Sequence, residues 1–211
     1  MKTPLSLALI TSALLAACSS GSSDPEDMDM DLDPPMMDTD GAVRNGDGSV
    51  TVMAGDETFE LPVNNITSNG QPRWFDGTVN ASGFETDDVF AIGGIQDETF
   101  FSAVTGTFVD APVGSLTYEG RYSVSSSLSE VVSSALTIEY DAAQSTLTAL
   151  DGDFSIDGTV TGAGVATGTV TFEGTDADFN GGFFGADADV AGAFHNNSFA
   201  GIFYGDEITG P

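Results

Sequence analysis

From residue 114 to residue 205 the chain sets apolar residues against polar ones at a period of two. Leu116, Tyr118, Gly120, Tyr122 and Val124 alternate with Thr117, Glu119, Arg121 and Ser123. Leu136, Ile138 and Tyr140 alternate with Thr137 and Glu139, and Phe154 and Ile156 with Asp153, Ser155 and Asp157. Ala166, Gly168, Val170 and Phe172 alternate with Thr167, Thr169, Thr171 and Glu173. A helix repeats its apolar positions at about 3.6 residues, so this spacing predicts strands and leaves no room for helices. Residues 146–150 make a further short strand. Residues 178–205 add three more, broken by Ala186-Asp187-Ala188-Asp189 and His195-Asn196-Asn197-Ser198. These last three place Phe179, Gly181 and Phe183, then Val190, Gly192 and Phe194, then Phe199, Gly201 and Phe203 on one side.

Eight strands joined by tight turns can close on themselves, which removes exposed sheet edges. At that strand number side chains fill the interior, and glycines between rings leave room for them. The expected fold is therefore all-β: an eight-stranded antiparallel up-and-down β-barrel over residues 111–211. Most of the runs fall short of the roughly 9–11 residues needed to cross a bilayer, and the aromatics form no paired girdles, so the barrel is expected to be water-soluble.

Upstream, residues 49–110 carry weaker strand signals and no helix of useful length. They read as a small β subdomain or a collar on the barrel. Val50, Val52, Phe59 and Leu61 suggest a strand pair around Gly55-Asp56, and residues 89–92 and 99–109 suggest two more strands. Residues 64–80 and 125–134 read as long loops. The first holds Arg73, Trp74 and Phe75, residue types that anchor interfaces and so candidate binding residues. The plain alternative is a packed loop, since scattered aromatics need no special explanation.

Residues 1–17 have the form of an export signal: Lys2, then an apolar run over residues 5–15 too short to span a membrane as a helix. The run closes on Leu15-Ala16-Ala17-Cys18, which resembles the bacterial lipobox. The resemblance implies cleavage before Cys18 and lipidation of its thiol, and several acyl chains on one residue anchor stably where one would not. An ordinary secretory signal cut near Ala17 is the other reading. Ser19 is not the aspartate that resembles an inner-membrane retention signal, so the expected location is the outer membrane, surface-exposed. Residues 18–48 are then an acidic, disordered tether, rich in Asp and Pro and without apolar periodicity. Its methionines Met28, Met30, Met36 and Met37 could meet copper. Asp38-Thr39-Asp40-Gly41 and Asn45-Gly46-Asp47-Gly48 faintly suggest calcium loops but lack the EF-hand spacing and closing Glu. Spacer and turn is the expected reading for all of them.

Four Lys and Arg against 33 Asp and Glu give a formal net charge of −29. That field repels phosphate backbones and anionic lipid, so nucleic acid is not an expected partner. Cys18 is the one cysteine, so no disulfide forms within the chain. The one histidine, His195, sits in what reads as a hairpin turn. No pattern supplies a catalytic site, a metal site or a cofactor site, and the chain is not expected to be an enzyme.

At residues 182–194 and 199–205 the sequence resembles the C-terminal β-barrel of the transferrin-binding protein B family of surface lipoproteins. Gly182-Phe183-Phe184-Gly185-Ala186-Asp187-Ala188-Asp189-Val190-Ala191-Gly192-Ala193-Phe194 carries the likeness, followed by Phe199-Ala200-Gly201-Ile202-Phe203-Tyr204-Gly205. Gly114-Ser115-Leu116-Thr117-Tyr118-Glu119-Gly120 resembles the opening strand of that barrel. The likeness spans roughly residues 88–205. Ala186 stands where the family commonly has Pro, and Asp189 where it has Glu. The family captures transferrin or lactoferrin, acquires haem, or binds complement regulators. The resemblance therefore implies a binding module with a protein or haem ligand; the competing expectation is an envelope-coat or adhesion lipoprotein with no small ligand. No binding residue carries over from the family.

Overall fold

The computed structural model describes residues 41–63, 66–68 and 71–208. Cys18, residues 1–17 and most of the residues expected to form a tether lie outside the described residues. Every described element is a strand. β1 (Gly41–Arg44), β2 (Val50–Ala54) and β3 (Glu57–Leu61) make one sheet. β4 (Ile66–Ser68), β5 (Gln71–Phe75), β6 (Val79–Glu85), β7 (Val89–Gln96) and β8 (Thr99–Gly106) make a second, in that order. β9 (Leu116–Ser125), β10 (Val131–Asp141), β11 (Thr146–Asp151), β12 (Phe154–Val160), β13 (Val165–Phe172), β14 (Thr175–Phe184), β15 (Asp189–His195) and β16 (Ala200–Glu207) make a closed barrel. Each barrel strand pairs antiparallel with its sequence neighbours, and β16 returns to β9 with Gly201 opposite Val124 and Gly205 opposite Gly120. The expected eight-stranded up-and-down barrel is present.

The barrel is filled. Tyr122 and Phe154 stack with ring centroids 4.0 Å apart and planes 2° apart. Phe179 meets Phe203 edge-on at 5.2 Å, and Phe194 meets Phe199 at 6.0 Å. Phe154, Phe179, Phe183, Phe194 and Phe203 are all essentially without solvent exposure. Gly192 lies directly under the Phe203 ring, where even a β-carbon would overlap the ring atoms. The glycine–aromatic alternation is thus a packing device: one position supplies volume and its neighbour surrenders it. Truncating one such ring would cost about 3–5 kcal/mol.

On β10 to β14 the outward positions include Thr137, Glu139, Thr148, Asp157, Thr159, Thr167 and Asp178, all exposed, together with the exposed Leu150. A membrane-spanning barrel carries an apolar band at these positions; here the wall is polar and faces water.

The other wall is covered. The five-stranded sheet lies on β15, β16 and β9, and the three-stranded sheet lies on its far face. Ala42, Val50, Val52, Phe59 and Leu61 from the first sheet share a core with Trp74, Val79, Ala81, Phe90, Ile92 and Phe101 from the second. β7 is therefore buried on both faces, and seven of its eight residues are buried. Its sequence, V-F-A-I-G-G-I-Q, is a continuous apolar run of the kind a doubly covered strand needs.

Three expectations change. Gly41–Arg44, assigned to the tether, is strand β1, because it pairs with β2 and the Ala42 N–H donates to Thr105 Oγ1 at 2.6 Å. Residues 64–80, taken as loop, include strand β5, whose signal was hidden by Pro72; the proline is accommodated opposite Thr67 of β4. Residues 125–134 shrink to a loop at 126–130, because the serines flanking it lie in β9 and β10.

A candidate binding surface at the sheet–barrel seam

The seam is built from small residues and hydroxyls on the barrel-facing side of the five-stranded sheet. At Gly93 the backbone comes so close to Gly201 of the barrel that a β-carbon would sit 2.5 Å from the Gly201 carbonyl oxygen. Only glycine permits that approach. One side of this contact holds Ala91 against Ala193 and Ile202. Phe84 stacks on Tyr204, with centroids 4.0 Å apart and planes 7° apart. Polar bonds complete the seam: the Ser123 hydroxyl donates to Ser82 at 2.9 Å, and Ser102 Oγ lies 2.9 Å from His195 Nδ1. His195, read from sequence as part of a hairpin, ends β15; the turn itself is made by Asn196, whose Oδ1 accepts from the N–H groups of Ser198 and Phe199.

Asn80 fastens one end of the seam. Its side chain is fully buried. Its Nδ2 donates to the carbonyls of Ser127 at 2.7 Å and Glu130 at 3.0 Å, and its Oδ1 accepts from Arg73 Nη2 at 3.2 Å. One residue of the upstream sheet thus holds the barrel loop at 126–130 in place. Sequence reasoning missed Asn80. Its one available signal was an Asn among the apolar residues Val79, Ala81 and Phe84, a position that only a buried hydrogen-bonding role explains.

The three candidate binding residues separate. Trp74 is fully buried in the core between the two upstream sheets and lies 6.4 Å from the Phe90 ring. It is a core residue rather than a surface anchor, because β5 is a strand and its alternation turns Trp74 away from Arg73 and Phe75. Phe75 is 42% exposed and lies opposite Asn80 in the β5–β6 register. Arg73 is half-buried on the same face. So Phe75, Arg73 and the loop at 126–130 form one surface where the upstream sheet overhangs the barrel.

At the opposite end of the barrel, Asp88, Asp187, Asp189, Asp206 and Glu207 gather. Burial raises the Asp189 carboxyl above its ordinary range, and repulsion from Asp206, Asp187, Asp88 and Glu207 raises it further. Burial likewise raises the Tyr118 hydroxyl inside that end. Among the described residues no group of His, Cys, Asp or Glu is placed to hold a metal ion. The Asn45–Gly48 segment is a turn, with the Asp47 carboxylate accepting from the Ser49 N–H and hydroxyl.

No protein-family model and no curated protein matches this sequence. Solved structures do match. The apo haemoglobin receptor HpuA from Kingella denitrificans superposes with a TM-score of 0.50 at 13% identity, covering 75% of this chain and 76% of that one. HpuA of the same organism in complex with human haemoglobin gives a TM-score of 0.48 at 14% identity, over 75% of this chain and 76% of that one. A double mutant of transferrin-binding protein B from Haemophilus parasuis gives 0.46 at 16% identity, over 79% of this chain but 41% of that one. What the chain has in common with the apo HpuA structure is its overall fold.

Proposed function

We propose that this chain is a surface-displayed binding module, tethered to the bacterial outer membrane by lipid on Cys18, that captures an iron- or haem-carrying protein. The observation that carries this reading is the fold it has in common with a haemoglobin receptor across three quarters of both chains. The filled barrel narrows how capture works. Its interior is occupied by stacked rings, so a ligand meets the outside of the molecule. The overhang of Phe75 and Arg73 beside the loop at 126–130 is the capture surface. It offers an exposed ring, a guanidinium and a loop already held in place by Asn80, and such pre-ordering lowers the entropic cost of binding. The net charge of −29 favours partners that present a basic face and speeds their encounter. The acidic segment that follows Cys18 repels itself and holds the module away from the bilayer.

The test is binding of the full chain, in mild detergent, to haemoglobin, transferrin and free haem by biolayer interferometry. The expected result is saturable binding to a carrier protein. Phe75→Ala should weaken that binding by at least about tenfold, the scale of an interface anchor, with the melting temperature unmoved. If none of the three binds, the capture reading fails and the envelope-coat role takes its place. If free haem binds as tightly as its carriers do, the claim of a protein partner fails.

A further inference from the structure

At one end of the barrel, where β9 begins, β10 ends and β11 begins, the surface holds a depression of about 430 Å³. Small-ligand sites fall at about 300–1,000 Å³. Antiparallel pairing builds its wall. Glu139 lies opposite Thr117 of β9 and Thr148 of β11, so these three side chains stand in one row on the outward face. One row further on, Asp141 lies opposite Thr146. The apolar share of the lining is Leu116 and Tyr140, which lie opposite each other. No arginine or lysine takes part.

The two carboxylates differ in what they have left to give. Asp141 Oδ1 accepts from the N–H groups of Ala143 at 2.9 Å and Gln144 at 3.3 Å, and Oδ2 accepts from Gln144 Nε2 at 2.9 Å. The Ser115 hydroxyl bonds the same carboxylate. A carboxylate has about four lone-pair sites, so Asp141 is used up in fixing Gln144 and Ser115 at the edge of the depression. The Glu139 carboxylate and the hydroxyls of Thr117, Thr146 and Thr148 bond no other protein group among the described residues. Glu139 only accepts, whereas each threonine hydroxyl both donates and accepts.

This set of groups narrows the ligand. An anion would meet Glu139 and the acidic field of the chain, with no cation to hold it. A metal ion would need a group of carboxylates placed around it, and the described residues supply none. A diamine would need two open carboxylates and finds one. A sugar ring presents neighbouring hydroxyls that donate to a carboxylate and exchange bonds with other hydroxyls, and a face of C–H groups. It carries no charge, so binding desolvates none of its own. We propose that the depression binds a neutral saccharide. Glu139 accepts from ring hydroxyls, Thr117, Thr146, Thr148 and Gln144 bond the remaining ones, and Leu116 and Tyr140 supply the apolar contact. The site does not rest on the capture of a carrier protein.

The test is a titration of the isotope-labelled full chain, in a detergent without a sugar head group, with glucose, galactose, N-acetylglucosamine and putrescine, followed by backbone amide shifts in NMR. No protein partner is present, so the outcome is separate from that of the capture experiment. At least one of the three sugars should give saturable shifts centred on residues 115–117 and 139–148. Glu139→Gln should weaken that binding about tenfold, and Thr148→Ala about threefold, the scales of a charged and a neutral hydrogen bond. Both side chains are exposed, so the melting temperature should not move. Asp157→Asn, one strand beyond Thr148 in the same row and outside the depression, should bind as the parent does. The proposal is overturned if no sugar shifts these residues, or if both Glu139→Gln and Thr148→Ala bind as the parent does. It is also overturned if putrescine binds there and the sugars do not, which would make the depression a cation site.

Discussion

The two walls of the barrel are built from the same kind of strand and read quite differently. On the open wall, β10 alternates strictly between buried and exposed from residue 135 to residue 140, and its outward residues there are Ala135, Thr137 and Glu139. On the covered wall, Val190 to Phe194 of β15 are all buried, and so are Ala200 to Phe203 of β16. Their inward residues are the expected Val and Phe. Their outward ones are Ala191, Ala193 and Ile202, small or aliphatic where the open wall has Thr and Asp. A strand that is apolar on one face has water on the other, and a strand that is apolar on both has a neighbour there. The difference locates the docking of the upstream sheet from the barrel side, and β7, apolar throughout, locates it from the other.

The largest effect should come from putting the same charge on each wall. Ile202 is fully buried against the upstream sheet, whereas Leu150 is 77% exposed on the open wall. Ile202→Asp strands an unpaired charge in the seam and should cost about 3–5 kcal/mol. Leu150→Asp should stay within about 0.5 kcal/mol. Chemical denaturation of the two variants beside the parent checks this, and equal losses would break the distinction between the walls.

A smaller loss is expected at the edge of the covered wall. Asn80→Ala leaves the carbonyls of Ser127 and Glu130 without their buried donor, at a cost of about 1–3 kcal/mol. Hydrogen exchange should speed up at residues 126–130 while the strands of the open wall stay protected. Exchange that is unchanged at the loop would show that the upstream sheet does not hold it.

The smallest effect concerns the acidic end of the covered wall. The Asp189 carboxyl is raised in the folded protein, chiefly by burial and then by Asp206. Such a group costs nothing below its unfolded value of about 3.9, where it is protonated in both states. Stability is lost as pH rises through the raised folded value. Asp189→Asn should therefore stabilise the protein at pH 7 by less than about 1 kcal/mol, since exposed charges are screened. That gain should vanish below pH 4 in a series of thermal melts, and a gain that persists there would refute the electrostatic cause.

How much of this was legible depends on which face carried the signal. The open wall follows from alternation alone, and Leu136, Ile138 and Tyr140 point inward as their spacing requires. The covered wall was half-read: Phe183, Phe194 and Phe203 were placed inside, but the outward Ala191, Ala193 and Ile202 were passed over, although they announce a second layer. The β5 stretch reads as loop because Pro72 and the polar Gln71 and Arg73 mask a strand whose large apolar side chain on the core face is Trp74. That error turned Trp74 from a core residue into a surface candidate.

The seam itself is open to one direct measurement. The Ser82 and Ser123 hydroxyl oxygens lie 2.9 Å apart across it, close enough for a disulfide between cysteines at the same positions. Ser82→Cys with Ser123→Cys, in a chain whose native Cys18 is replaced by Ser, should oxidise spontaneously and leave no thiol open to labelling. If both thiols stay free and reactive in the folded protein, the upstream sheet does not lie on β9 and the covered wall does not exist.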